Sequence, residues 1–380
     1  MYGVWIVSSV LFEPYDMAGH RLNNRVIMAP MTRARARGDV PDELGALYYR
    51  QRASAGLIIS EGSPISREGQ GYLFNPGIFG PDQIAGWKKA TAAVHERGGL
   101  IFCQTWHVGR VSHTSIQMNG GAPVSASAKQ GGMAFGWNEQ GQPDMLAAST
   151  PRAATTEECH RLVAEFGQAA VNARQAGFDG VEVHGANGYL FEQFINAELN
   201  DRTDAYGGSR ENRCRLLLEA IDASIKMIGA HRVGVRLTPY GTLFDMPHYD
   251  DTEATYLYLA DELSKRDLAY VHIMDQGAQG QDALPREFLK TFRQAYTGTL
   301  LFAGNLDEAE AKRLIEDEVI DLAVFGRPFT SNPDLFERLY NGWPLAEFDP
   351  DTFYGGDARG YVDWPTYPEE QERKARFNED

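Results

Sequence analysis

Gly180-Val-Glu-Val-His184-Gly-Ala-Asn187-Gly-Tyr189-Leu190 joins a short apolar run, bounded by glycine, to a polar turn. Such a run reads as a buried parallel strand emptying into a loop. In barrels and open α/β sheets, ligands and reacting groups gather in the loops at the carboxyl ends of strands. This turn holds an imidazole, a carboxamide and a phenol within six residues. Neutral imidazole and carboxamide each donate a hydrogen bond, and a phenol with an ordinary pKa near ~10 can also release a proton. The set suits a reaction that builds negative charge on an oxygen and then protonates a neighbouring carbon. Each residue also has a plainer use. A histidine after a strand is more often a satisfied structural group than a catalyst, Asn and Gly form turns, and a tyrosine packs.

The same alternation recurs on both sides. Strand-like runs are predicted at Arg25–Met31, Leu57–Glu61, Leu100–Thr105, Gly180–Val183, Arg232–Leu237, Ala269–Met274, Leu300–Ala303 and Asp321–Phe325. Amphipathic stretches separate them, several with helix-start signals: Thr155 or Thr156 before Glu157-Glu158, Ser209 before Glu211, and Asn332-Pro333-Asp334 as N-cap, N1 proline and acid. Eight strands alternating with helices, without a linker-like break, predict an α/β chain built as a (β/α)8 TIM barrel, one domain over residues 1–380. A doubly wound open sheet shares the alternation, but no GxGxxG follows the first strand. Residues Leu11–Leu22 read as an N-terminal hairpin closing the barrel's bottom. Residues 109–151, rich in Gly, Ser, Ala and Pro, read as a capping insertion after the third strand. The aromatic-rich tail, 342–380, is expected to pack on the barrel, with Glu369–Asp380 as a solvated or frayed end.

Composition narrows the function. At 43% hydrophobic and 23% charged the 380 residues support a sizeable core. A formal charge of −16 argues against nucleic-acid binding, which needs a basic surface. Cys103, Cys159 and Cys214 are widely spaced, which disfavours a disulfide scaffold, a metal site or an iron–sulfur cluster. Val4-Trp-Ile-Val is too short for a signal core and no apolar run approaches ~20 residues, so a cytoplasmic protein without a membrane partner is expected.

In a barrel the strand ends converge on one mouth, and here they suit a flavin. The first strand leads into Pro30-Met31-Thr32, a stiffened turn followed by a hydroxyl. The second leads into Gly62, which admits a flat ligand closely. The third holds Gln104, donor and acceptor for a pyrimidine edge, followed by Trp106. The fifth holds Arg236, a permanent cation suited to an anionic ring. The last two lead into Gly304-Asn305 and Gly326-Arg327, the usual phosphate corner of such barrels.

Together these stretches resemble the old yellow enzyme family, FMN-dependent NAD(P)H ene-reductases, and within it the classical branch. The resemblance runs from about Leu11 to Pro368 through Asn24–Arg33, Tyr48–Ala53, Gly56–Gly62, Gln104–Arg110, His184–Leu190, Asn200–Ser209, Phe325–Arg327 and Phe353–Tyr361. It implies tightly but non-covalently bound FMN across the mouth, contacted by Pro30, Met31, Thr32, Gly62, Gln104, His184, Arg236, Gly304, Asn305, Gly326 and Arg327. It implies NADPH or NADH as reductant and an enone-type small molecule as substrate. His184 and Asn187 are then the carbonyl donors and Tyr189 the proton donor, with Trp106, Tyr72, Leu243, Phe244 and Tyr354 shaping the pocket. The implied assembly is a monomer or homodimer.

Two alternatives stay open at this point: a flavin-binding protein without this turnover, and a nitro or nitrate-ester reductase using the same site. The run Arg33, Arg35, Arg37 reads as a solvated loop or as a contact to cofactor phosphates, and Gln276–Asp282 matches no pocket element.

Overall fold

The computed structural model describes residues 9–377; Val4-Trp-Ile-Val and the last three residues of the tail lie outside them. Eight parallel strands close into a ring: β1 (Val26–Met28), β2 (Leu57–Ile59), β3 (Ile101–Trp106), β4 (Gly180–Gly185), β5 (Val233–Leu237), β6 (Tyr270–Met274), β7 (Leu300–Ala303) and β8 (Leu322–Phe325). Each pairs with the next, and β8 returns to β1, so the ring leaves no edge. This is the expected (β/α)8 barrel. Several strands are shorter than predicted. After β1 the Ala29 N–H still reaches Phe325 O at 2.9 Å, and Pro30, with no N–H to give, ends the pairing.

The helices follow in turn: α1 (Glu43–Gln51), α2 (Pro81–His95), α3 (Thr156–Gln175), α4 (Arg210–Ile228), α5 (Thr252–Ser264), α6 (Arg286–Ala295), α7 (Glu308–Glu316) and α8 (Leu335–Asn341). Of the two threonines Thr155 starts α3, its hydroxyl accepting from Glu158 N while Glu158 returns to Thr155 N. Ser209 starts α4. The start of α8 differs. It lies at Leu335, after Asp334, because the Asn332 side chain is committed to Ala346, accepting from its N–H at 2.7 Å and donating to its carbonyl at 3.1 Å.

Strand alternation divides the core in two. One set of side chains (Val181, Val183, Val233, Val235, Val271, Ile273) packs outward against the helices. The other (Ile27, Leu57, Ile59, Phe102, Tyr270, Leu301, Leu322, Val324) fills the barrel's interior. Phe102 and Tyr270 fit there because their neighbours are glycine: a Cβ on Gly180 would collide with the Phe102 ring, and one on Gly234 with that of Tyr270. The antiparallel pair Tyr15–Met17 and His20–Leu22 adds Met17 and Leu22 to this interior cluster, plugging the bottom.

Above the plug the interior turns polar. Glu182 and Gln104 stand level on β4 and β3; one step nearer the mouth, His184, Arg236 and His272 stand level on β4, β5 and β6.

Residues 109–151 are not bare loop. Met133–Trp137 and Pro143–Ala147 form an antiparallel hairpin, and Val124–Ser125 pairs with Arg152–Ala153. The buried Arg110 guanidinium donates to Lys129 O and Gln130 O on this insertion and to Phe244 O and Asp245 O after β5, fastening the two together.

The tail corrects two expectations. Tyr367–Phe377 is a helix, with Glu370 bonded to Lys374 and Arg338; the end is solvated as expected, residues 371–376 being exposed, but it is helical rather than frayed. Arg33 and Arg35 are buried rather than solvated, whereas Arg37 is exposed as expected. Arg33 donates to Phe353 O (2.9 Å), Thr352 O (3.2 Å) and Gly360 O (3.0 Å), and Arg35 to Thr352 O (2.8 Å) and Arg359 O (3.1 Å). Both guanidinium groups also lie over the Tyr361 ring. A buried cation requires partners; five carbonyl contacts supply some of them here, while Arg33 Nη1 and Arg35 Nε and Nη1 have none among the described residues. Among the described residues no helix is long and apolar enough to cross a membrane.

Candidate active site

The turn after β4 is built to present its side chains upward. Asn187 (φ 57°) and Gly188 (φ 74°) are both left-handed, a conformation Asn tolerates and Gly adopts freely. A Cβ on Gly188 would meet Leu243 O at 2.5 Å, so the turn is glycine for lack of room as well. Its backbone is held from below. Asn187 N donates to Thr238 Oγ1 (2.8 Å), which donates to Glu192 Oε2 (2.9 Å); Glu192 Oε2 also accepts from Gly188 N (2.5 Å).

Burial raises the Glu192 carboxyl to about 7, even though these donors pull it down. An unfolded chain loses that proton near ~4.3. The group's contribution to stability is therefore complete below that pH, and is lost as pH rises through about 7. Glu192→Gln is accordingly expected to melt closer to wild type, or above it, at pH 8 than at pH 5. A melting-temperature difference that does not change between those pH values contradicts the assignment.

At the mouth, Tyr189 is enclosed by rings. Its centroid lies 4.9 Å from Trp106 and 5.1 Å from His184, edge-on to both, and 5.3 Å from Phe244. Tyr72 stacks on Trp106 at 5.6 Å, and its hydroxyl lies 3.2 Å from that of Tyr189. Burial above all, then Tyr72 and Tyr354, raises the Tyr189 pKa well above the usual phenol value. It holds its proton at any working pH. Burial, with Arg236 and His272 nearby, holds His184 well below the usual imidazole range, so it is a neutral donor.

Below them lies a fixed polar layer. Gln104 Nε2 donates to Glu182 Oε1 (2.7 Å), leaving the Gln104 carbonyl as the end that can accept. His272 Nδ1 lies 2.9 Å from Glu182 Oε2. Burial tends to raise the Glu182 pKa, but His272, Arg236 and Gln104 outweigh it and keep the carboxylate ionised. The Arg236 guanidinium, itself buried, is the counter-charge.

The expected phosphate corner also assembles. β7 and β8 are neighbours, and Arg327 donates to Asn305 Oδ1 at 2.8 Å beside Gly304 and Gly326. Met31 Sδ lies 3.7 Å from where a Cβ on Gly326 would stand, which brings the turn after β1 to the same edge.

Some expected residues also have a structural reason for being there. Gly62 is glycine because the Trp106 indole fills its side-chain space and would collide with any Cβ. Leu243 meets the β4 turn through its carbonyl. Tyr354 stands at the rim, 68% exposed. Sequence reasoning missed Glu182, His272, Glu192 and Gln276. For Glu182 a signal existed: an acid in mid-strand between two valines is costly to bury without partners.

Four buried nitrogens around this mouth, His184 Nδ1, Arg236 Nε, His272 Nε2 and Trp106 Nε1, have no hydrogen-bond partner among the described residues. Each such group costs ~1–3 kcal/mol if left so. Gathered over a polar layer, they mark the place of a polar guest. A flat ring bearing carbonyl and N–H edges fits the set. Arg236 would donate to its oxygens, Gln104 would accept from its N–H, the ring nitrogen of neutral His184 that carries no proton would accept from the same guest, and the Asn305–Arg327 corner would take a phosphate.

A barrel with such a mouth defines a flavin-dependent oxidoreductase. The model of the NADH:flavin oxidoreductase / NADH oxidase family matches residues 10–346, and the chain belongs to that family. It is that of the old yellow enzymes, FMN-dependent oxidoreductases that draw on a nicotinamide to reduce activated C=C bonds. The chain is 43% identical over 371 residues to a putative 12-oxophytodienoate reductase 5 of Oryza sativa subsp. japonica, covering 95% of this chain and 96% of that one. Its structure superposes on morphinone reductase with a TM-score of 0.93 at 46% identity, covering 96% and 98% of the two chains. It also matches morphinone reductase in complex with tetrahydroNAD, with a TM-score of 0.90 at 47% identity, covering 94% and 97%.

Proposed function

We propose that the protein reduces the C=C bond of α,β-unsaturated carbonyl compounds with NADPH or NADH, in a cytoplasmic setting. His184, Asn187 and Tyr189 form the reacting set. The reading is carried by one observation: a neutral imidazole, an amide and a proton-holding phenol share one turn, among buried nitrogens that have no partner among the described residues.

FMN held by Gln104, Arg236 and the Asn305–Arg327 corner would supply, once reduced by the nicotinamide, the hydride for the substrate's β-carbon. His184 and Asn187 donate to the carbonyl oxygen, drawing electrons from the alkene and stabilising the charge that develops there. Tyr189 delivers a proton to the α-carbon. Trp106, Tyr72 and Phe244 wall the space and exclude water; Tyr354 lies at its rim. Residues 109–151 and 342–377 flank the single catalytic unit from two sides.

The test begins with the purified protein. It is expected to carry a flavin spectrum, to bleach anaerobically with NADPH or NADH, and to regain its colour on addition of 2-cyclohexenone. Protein without flavin, or reduced protein that the enone does not reoxidise, rejects the reading.

A further inference from the structure

Gln276 follows β6, lies far from the β4 turn in sequence and is 2% exposed. Its Oε1 accepts from two main-chain amides, Thr242 N at 2.9 Å and Leu243 N at 3.1 Å. Backbone N–H groups can only donate, so they fix which end of the Gln276 amide is oxygen. The Nε2 end then faces Asn187, 3.2 Å from its Oδ1. An amide N–H facing Asn187 requires an acceptor there, so Asn187 must turn its oxygen to Gln276 and its Nδ2 the other way. Gln276 is also packed in place: a Cβ on Gly241 would lie 2.8 Å from its Nε2.

We infer that Gln276 is a positioning residue that sets the polarity of Asn187. Two unflippable backbone amides orient Gln276, and Gln276 orients Asn187, so that the substrate oxygen meets an N–H donor and not a carbonyl. The inference rests on the proposed role of Asn187 as a carbonyl donor. It adds that Asn187 has no choice of orientation. It also joins the carbonyl-binding turn to the segment bearing Leu243 and Phe244, so that the pocket wall and the donor are aligned by one side chain.

The decisive variant is Gln276→Glu. It keeps the size and the acceptor for Thr242 N and Leu243 N, but faces Asn187 Oδ1 with an oxygen, which drives the Asn187 amide to reverse. Gln276→Met keeps the volume and removes the instruction, leaving Asn187 free to choose. The readouts are the dissociation constant of a para-substituted phenol, from the flavin difference spectrum, and the melting temperature. Phenol affinity is expected to fall ~10–100-fold in Gln276→Glu and only a few-fold in Gln276→Met, with both variants folded and flavin-loaded. Lost packing predicts the opposite order, because Glu is the closer isostere, and that order overturns the inference.

A double-mutant cycle separates the inference from the reading beneath it. If Asn187→Ala alone leaves phenol binding unchanged, the carbonyl-donor role fails. If it weakens binding while Gln276→Glu does not, only the positioning role fails. Adding Asn187→Ala to Gln276→Glu is expected to cost nothing further; additive losses overturn the coupling. Should Gln276→Glu not fold, the cycle built on Gln276→Met decides the same question: the double variant is expected to bind no worse than Asn187→Ala alone, and additive losses overturn the coupling.

Discussion

In Tyr189→Phe, reoxidation of the reduced protein by 2-cyclohexenone is expected to slow by ~10²–10⁴, the usual worth of a positioned acid. Reduction by NADPH should stay near wild type, because that step moves no proton to a carbon. The substitution is well isolated. It keeps the ring that packs on Trp106, His184 and Phe244 and removes only the hydroxyl, whose described partner is Tyr72 at 3.2 Å. Its structural cost is that of one neutral hydrogen bond, ~1 kcal/mol. Because burial keeps the phenol protonated, wild-type alkene reduction should show no loss of the acid form between pH 6 and 9. Rapid-mixing measurement of the two half-reactions decides the matter. If both slow alike, or neither does, Tyr189 is not the proton donor.

His184→Ala is expected to lower the rate of enone reduction by ~10²–10³, the cost of one oxyanion-type donor, and to weaken phenol binding. Charge decides how this residue acts. Burial, Arg236 and His272 keep the imidazole neutral, so it works through a hydrogen bond and not as a cation. Phenol affinity in the wild type should therefore show no step from an imidazole near pH 6.5. Unchanged affinity in His184→Ala removes His184 from carbonyl binding. A wild-type step near that pH that vanishes in the variant shows instead that it binds as imidazolium.

The barrel was legible because its signal is periodic. Eight apolar runs of strand length, each closed by glycine or a polar turn, admit few topologies, and β4 shows both the burial and the turn in one stretch. The residues that meet the substrate were legible for a related reason: they lie at strand ends, where the fold itself exposes them. What supports them was not. Gln276 reaches Asn187 across 89 residues of sequence and Arg33 reaches Thr352 across 319, and no local pattern encodes either contact. Arg33 and Arg35 looked solvated because three arginines in five residues usually are; only the folded tail supplies the carbonyls that make burial tolerable. Glu182 stood in plain sight between two valines, but its partners lie on other strands.

The grip of Arg33 on the tail has a consequence for how the protein is made. The turn after β1 leaves the ribosome early, and the carbonyls that hold its guanidinium groups follow 319 residues later. At ~5–20 residues per second that is an interval of roughly 15–60 s. Through it a nascent barrel carries two cations with no lasting partners beside its first strand. The rim bearing Tyr354 is thus the last part of the pocket to be set, and a chain that stops short of Thr352 leaves its first strand end unfinished.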